Sequence, residues 1–287
     1  MDKDKILSEP INKKRRKEIK EELLLGGISA QTIGKSTLGE ELTMYSFGQG
    51  KKSVLYVGAH HALEAISENI LTAFLYDAIN SYKKDENHRF LLQNFTYFVI
   101  PALNPDGIAL VQGEAVGNVL YDRQLKMSGG SFSLWQANAR GVDLNHNYPQ
   151  GFTEYKKIEA GQGIVAGPTL YSGEYPISEC ESSALMNTVY SLNPRLILSL
   201  HSQGEEIFAV GNRSVALARS FAKMTGYRVS VPTGTAAYGG FCDECSARGI
   251  PSITVEVGRG KNPLSYSCAR GIYHRLKNAL FMLPSKL

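Results

Sequence analysis

The sequence predicts an α/β fold: a three-layer α/β/α sandwich around a mixed, largely parallel sheet. Two patterns lead there. Short apolar runs of strand length alternate with longer segments of helical spacing. Polar residues able to do chemistry, His61, His201 and Glu256, fall at the ends of those apolar runs, where open α/β sheets carry their ligand sites. A chain of 287 residues suits one large domain or two small ones.

In chain order, residues 1–24 read as a charged, solvated helical extension, and 25–287 as a single domain. A β pattern starts at Gly34 and runs through 42–47 to the turn Gly48-Gln49-Gly50. The apolar run 53–57 is a buried strand. Positions 62–82 read as a helix, with Leu63, Ile66, Ile70 and Phe74 spaced for one face. Lys83, Lys84, Asp85 and Glu86 mark a solvated loop before the strand 95–100. Pro101 closes that strand, and Asn104-Pro105-Asp106-Gly107 is turn chemistry. The polar, Gly-rich stretch 112–178 is too long for a plain connector and reads as a functional wall or lid. Then come a helix at 178–192, a strand at 196–200, a helix at 215–223, a last buried strand at 253–257 and a C-terminal helix at 266–282.

Composition narrows the function. A hydrophobic share of 43% and a charged share of 20% are ordinary for a soluble enzyme. A net charge of +4 makes no case for nucleic acid, and no apolar run approaches membrane-spanning length. The basic cluster 13–17 is followed only by Leu23-Leu24-Leu25, too little for a signal peptide, so a cytoplasmic chain is expected. Cys242 and Cys245 have Cys-x-x-Cys spacing without the second pair that a structural zinc site needs. They read as free thiols at a pocket wall, with a redox pair as the alternative.

The chemistry gathers at three strand ends. His61 and Glu64 are three apart where the strand 53–57 gives way to a helix, and such a pair can point one way. Alone it serves as well as a solvated helix start. His201 emerges directly from a buried strand, where a lone histidine can equally be a core residue. Glu256 lies inside an apolar strand, where a carboxylate is costly unless paired or metal-linked. Together His61, Glu64 and His201 make a zinc set with one position open, and Glu256 is the carboxylate that can act as general base beside it.

His61-x-x-Glu64, Asn104-Pro105-Asp106-Gly107, Gly141-Val142-Asp143-Leu144-Asn145, Leu200-His201-Ser202 and Thr254-Val255-Glu256-Val257-Gly258 occur in that order. In this the chain resembles the zinc carboxypeptidase family, the carboxypeptidase A superfamily, from about residue 34 onward. Within it, His60-His61-Ala62-Leu63-Glu64, Asp143 to Asn147 and Glu256 to Leu264 look most like the bacterial γ-D-glutamyl-meso-diaminopimelate peptidases, which cut peptidoglycan stem peptides. The resemblance implies a carboxypeptidase-like fold and Zn2+ held by His61, Glu64 and His201, with His60 the competing ligand. It implies Glu256 as the base that takes a proton from water and passes it to the leaving amine. Asp143 would orient His61 through its other ring nitrogen.

Departures from the family pattern bear on substrate. Asn145 and His146 occupy the positions that bind a terminal carboxylate, but the residue at 146 is usually arginine there. The family's oxyanion arginine would fall at Gln136; Arg140 is the cation in that run and is nominated, against an ordinary surface role. Tyr238 is the candidate phenol, offset from its expected place. Asp243 lies in the specificity-pocket segment and could meet the amino group of diaminopimelate, or be a solvated loop aspartate. Arg259 joins Asn145, His146 and Asp243 as a recognition candidate. The leading expectation is a peptidase cutting the γ-D-Glu–meso-diaminopimelate bond of peptide or muropeptide substrates. A carboxypeptidase on ordinary peptides and an inactive binder of wall fragments are the rivals. Oligomeric state is not readable.

Overall fold

The computed structural model describes residues 3–79, 81 and 85–287. Its secondary structure runs α1 (Lys3–Ile6), α2 (Lys13–Leu25), β1 (Ser29–Lys35), β2 (Glu41–Gly48), β3 (Lys52–Gly58), α3 (Ile66–Ala78), α4 (Glu86–Asn94), β4 (Phe95–Ile100) and α5 (Pro105–Val111). It continues with α6 (Tyr121–Met127), α7 (Phe152–Gln162), α8 (Cys180–Leu192), β5 (Ile197–His201), β6 (Glu206–Phe208), α9 (Asn212–Thr225), β7 (Arg228–Ser230), α10 (Phe241–Ala247), β8 (Ser252–Glu256) and α11 (Ala269–Met282).

The strands form one sheet in the order β1-β2-β4-β3-β5-β8-β6-β7. The centre, β4-β3-β5-β8, is parallel throughout. Antiparallel pairing enters where β2 meets β1 and β4 and where β6 meets β8. Alternation along β3 builds two cores. Val54 and Tyr56 pack with α2, α3, α9 and α11 on one face. Leu55 and Val57 pack with α8 and α10 on the other. This is the mixed three-layer sandwich that the alternating segments predict.

Several expectations need correction. The N-terminal extension is helical but not solvated. Ile6, Leu7, Ile11, Ile19 and Leu23 are buried in the main core. Arg16 clamps the buried Glu68 with two bonds, at 2.7 and 2.9 Å, and Lys3 reaches Asp77. The charge density of the segment masks the spacing of its apolar residues. The β pattern begins at Ser29 rather than Gly34, and two short strands, β6 and β7, were not expected. The helix expected over 62–82 starts as a 3-10 turn, Ala62–Glu64, before α3. Its end, 80 and 82, lies outside the described residues, as do Lys83 and Lys84 of the expected loop. Asp85 instead caps an unexpected helix, α4, accepting from the His88 amide. The stretch 112–178 is not a bare wall: it carries α6 and α7.

Candidate metal centre

Three adjacent parallel strands bring the site together. Gly58 on β3 pairs with Leu200 on β5, and His201 on β5 pairs with Glu256 on β8. The side chains that leave the carboxyl ends of these strands therefore meet at one edge. Beyond Gly58 the chain turns sharply. A Cβ on Gly58 would lie 2.7 Å from the Pro101 carbonyl oxygen, so the strand end admits no side chain there. Ala59 sits at φ 51, in the left-handed region that a non-glycine residue rarely adopts. Its conformation is secured from both sides: Ser67 Oγ accepts from its amide at 2.8 Å, and the Asn104 amide donates to its carbonyl at 3.0 Å. The turn sends His60 and His61 in different directions. Asn104 also donates to the carbonyls of His60 and Ala137. At Gly107 a Cβ would meet the Ala137 oxygen at 2.5 Å, which explains the glycine in the Asn-Pro-Asp-Gly turn.

Glu64 is the hub. Its Oε1 lies 2.9 Å from His61 Nδ1 and its Oε2 2.9 Å from His201 Nδ1. Among the described residues, His61, Glu64 and His201 offer ligand atoms that all lie within 4.8 Å of one another. Each imidazole is also held from behind. His61 Nε2 is 3.0 Å from Asp143 Oδ1, and His201 Nε2 is 3.1 Å from Ser199 Oγ. Two Nδ1 atoms and one carboxylate converging, with both outer nitrogens engaged, is a donor set that fits a zinc ion. His60 takes no part in this cluster. It is fully buried, with Ser199 Oγ at Nδ1 and Tyr148 Oη at Nε2, both at 3.3 Å.

The charges oppose one another at close range. Burial works against charge on Glu64, but the two imidazoles outweigh it and hold the carboxyl at about 2. Burial likewise depresses His61, yet Glu64 and Asp143 raise it well above the ordinary histidine value. For Asp143, burial is overcome by His61 and His146, which keep it well below the usual carboxylate range. Glu256 differs. Burial, with the Glu64 charge adding to it, pushes its carboxyl well above the usual range, and its side chain makes no hydrogen bond among the described residues. A carboxylate that readily accepts a proton beside a metal position is suited to proton transfer.

The nominated recognition residues are placed less directly. Asn145 accepts from the Phe241 amide at the start of α10, at 3.2 Å. His146 is buried, stacked on Tyr155 at 4.2 Å, and its Nδ1 donates to the Tyr238 carbonyl at 2.8 Å. A neutral His146 thus has only an acceptor left for a ligand. Tyr238 is half-buried and contributes its carbonyl to that bond. Asp243, in the first turn of α10, is half-buried without a hydrogen-bond partner among the described residues, and burial alone lifts it to about 6. Two cations turn elsewhere. Arg140 is exposed and lies 3.5 Å from Glu179, and Arg259 pairs with Glu205 at 2.9 Å. Cys242 and Cys245 are free, buried thiols, and Cys242 Sγ donates to the Ile253 carbonyl.

Sequence reasoning missed three contributors. Ser199 touches both His60 and His201. The Ser202 amide donates to Glu64 Oε2 at 3.3 Å. Asn262 donates to Glu64 Oε1 at 3.4 Å and is locked to Ser202 by two further bonds. Ser199 alternates with His201 along β5, so the two-residue period of a strand is the signal that puts them on one side. Asn262 stands inside the Glu256–Leu264 motif, in an Asn-Pro turn.

Comparison with known proteins agrees with this geometry. The sequence profile of the zinc carboxypeptidase family matches residues 27–227. The gamma-D-glutamyl-L-diamino acid endopeptidase 1 of Lysinibacillus sphaericus is 29% identical over 255 residues, covering 84% of this chain and 63% of that protein. This chain therefore spans less than two thirds of that relative's length. Among solved structures, bovine thrombin-activatable fibrinolysis inhibitor superposes with a TM-score of 0.71 at 21% identity, over 94% of this chain and 95% of that one. The murein-tripeptide amidase MpaA of Escherichia coli O157 superposes with a TM-score of 0.58 at 21% identity, over 88% and 92%. At that identity the likeness is one of fold.

Proposed function

This chain belongs to the zinc carboxypeptidase family, and from that premise we propose that it hydrolyses the γ-D-Glu–meso-diaminopimelate amide of peptidoglycan stem peptides. One observation carries the catalytic part: Glu256 is the cross-strand neighbour of His201 at the edge where His61, Glu64 and His201 converge. The substrate part is supported by the name of the Lysinibacillus relative, a γ-D-glutamyl-L-diamino acid endopeptidase. It is supported also by a recognition region that has an imidazole at 146, already donating to a carbonyl, where an ordinary carboxypeptidase would hold a terminal carboxylate with arginine.

In this reading His61, Glu64 and His201 hold the zinc. The ion supplies Lewis acidity toward the amide carbonyl and acidifies water near neutral pH. Glu256 takes the proton of the attacking water and delivers it to the departing amine. Asp143 keeps the His61 ring turned so that Nδ1 faces inward. Asp243 is the group that meets the second ammonium of diaminopimelate. Arg140 is left out of the reaction because its guanidinium turns to Glu179. A cytoplasmic site of action, on free muropeptides, belongs to the same proposal. Among the described residues no helix is long and apolar enough to cross a membrane.

The test compares kcat/KM on three substrates in one buffer: L-Ala-γ-D-Glu-meso-diaminopimelate, its lysine analogue, and blocked dipeptides ending in Phe or Leu. The diaminopimelate tripeptide should be the best, releasing diaminopimelate, with the lysine analogue poor because it lacks the distal carboxylate. A site built for a polar group discriminates strongly against a substrate without it. If a blocked Phe or Leu dipeptide is best, the protein is a carboxypeptidase of ordinary peptides.

A further inference from the structure

The two proposed zinc histidines are supported from behind in different ways. Asp143, a carboxylate, holds His61. Behind His201 stands a row of neutral groups: Ser199 Oγ at 3.1 Å, then His60 Nδ1 at 3.3 Å from that hydroxyl, then Tyr148 Oη at 3.3 Å from His60 Nε2. All four side chains are enclosed, His60 and Tyr148 fully and Ser199 and His201 to within 1%. The His60 ring also lies nearly parallel to that of His201, with centroids 5.2 Å apart. A buried imidazole next to a ligand is a costly residue to place unless both nitrogens are used.

We infer that Ser199 and His60 form a hydrogen-bond chain that holds the orientation of His201 and takes up its Nε2 proton, so that its Nδ1 lone pair is free to face the metal position.

Counting protons sets the direction of the chain. A ligating Nδ1 must be free of hydrogen, so the His201 proton stays on Nε2 and donates to Ser199 Oγ. A serine hydroxyl has one proton and accepts with its lone pairs. Having accepted from His201, Ser199 donates its own proton to the next acceptor, His60 Nδ1. That leaves the His60 proton on Nε2, donating to Tyr148 Oη. Every link then has one donor and one acceptor. Running the chain the other way puts a Ser199 proton against His201 Nε2, moves the His201 proton to Nδ1 and removes the lone pair that a metal needs. Ser199 and His60 are thus positioning residues: they act on the ion only through His201. The inference rests on the proposed ligand role of His201 and does not depend on the substrate.

The experiment uses the full chain loaded with zinc and needs no peptidase assay. Zinc affinity is measured by chelator competition, and imidazole N–H protons are followed by 1H–15N NMR. Ser199→Ala should bind zinc about 10–100-fold more weakly, the range for loss of a group that orients a ligand. Ser199→Thr, which keeps the hydroxyl, should recover most of that loss. His60→Leu should weaken binding in the same direction as Ser199→Ala. Wild type should show a slowly exchanging proton on His201 Nε2 that Ser199→Ala loses. An Ser199→Ala protein of unchanged melting temperature whose zinc affinity stays within about threefold of wild type overturns the inference. Should that variant fail to fold, a His201 proton found on Nδ1 in the loaded wild type overturns it as well. His201→Ala is the control on the premise: if it retains zinc, the ligand assignment fails and the chain loses its role with it.

Discussion

The strand ends and the loops that face them are built on different terms. At the ends of β3 and β5, the Glu64 carboxylate and both imidazoles satisfy one another, and each histidine has a further partner behind it within 3.1 Å. On the loops and in the first turn of α10, the groups nominated for recognition and for the oxyanion are occupied elsewhere or not at all. His146 is bound to a carbonyl and stacked, Arg140 pairs with the buried Glu179 and Arg259 with the half-buried Glu205, and Asp243 has no hydrogen-bond partner among the described residues. The first region is organised before any ligand arrives. The second is organised around itself, with one unsatisfied carboxylate. Preorganisation of this kind belongs where charge develops during reaction, whereas discrimination between substrates needs only a few well-placed polar groups.

The sharpest way to break this contrast is at Glu256. Unlike its neighbours it makes no hydrogen bond among the described residues, so no hydrogen bond that holds the strand-end cluster together should depend on it. Glu256→Gln is expected to keep zinc and fold while kcat falls by about 10²–10⁴-fold, the span of a general base. Metal content by atomic emission and turnover on the diaminopimelate tripeptide measure the two halves separately. Loss of zinc in this variant would place Glu256 inside the metal-holding group, and the distinction between holding and proton transfer would go with it.

A smaller effect probes the charge balance of the cluster. With Glu64 and Asp143 beside it, His61 keeps its proton well above the usual histidine value when no metal is present. Zinc can bind only by displacing that proton. Affinity should therefore rise with pH through neutrality, by about tenfold for each pH unit while one proton is displaced. Calorimetry of zinc binding in buffers of different ionisation enthalpy gives the number of protons released. A pH-independent affinity between 6 and 8 would show that His61 is already neutral in the free site, against the geometry of its two carboxylate neighbours.

What the sequence could and could not tell follows the same line. His61, His201 and Glu256 are legible because an apolar run of strand length announces where a strand ends, and parallel neighbours deliver their ends to one edge. The pairing of His201 with Glu256 needs that β5 and β8 be adjacent, parallel and in the register that sets Ile197 against Ser252. Arg140 and Arg259 are not legible in this way. Their directions depend on Glu179 and Glu205, 39 and 54 residues away along the chain, which no local spacing predicts. Ser199 falls between: its side of β5 follows from the strand period, but its contact with His60 requires knowing that the chain turns at Ala59. The N-terminal segment failed for another reason. Its many charges hide Ile19 and Leu23, which lie one helical turn apart and are both buried.

Asp243 offers the smallest and most informative test. Burial raises its carboxyl from 3.8 to about 6. Between those values the folded chain keeps a proton that the unfolded chain has lost, so stability falls as pH rises from about 4 to about 6 and stays lowered above that. A displacement of this size is worth at most about 3 kcal/mol, and about 1–2 kcal/mol once the water reaching a half-buried group is allowed for. Asp243→Asn removes the charge and keeps the shape. Metal-free Asp243→Asn should match wild type near pH 4 and exceed it by about 1–2 kcal/mol at pH 7, read from urea unfolding across that range. If the two proteins share one pH profile, Asp243 is solvated and the strain assigned to it is absent. If the gain appears, the loss should appear with it: a carboxylate whose burial is uncompensated in the free protein gains most from a ligand ammonium, so the more stable variant should show a raised KM for the diaminopimelate tripeptide with kcat little changed. Stability given up at a recognition residue and retained throughout the metal cluster is what separates the two regions.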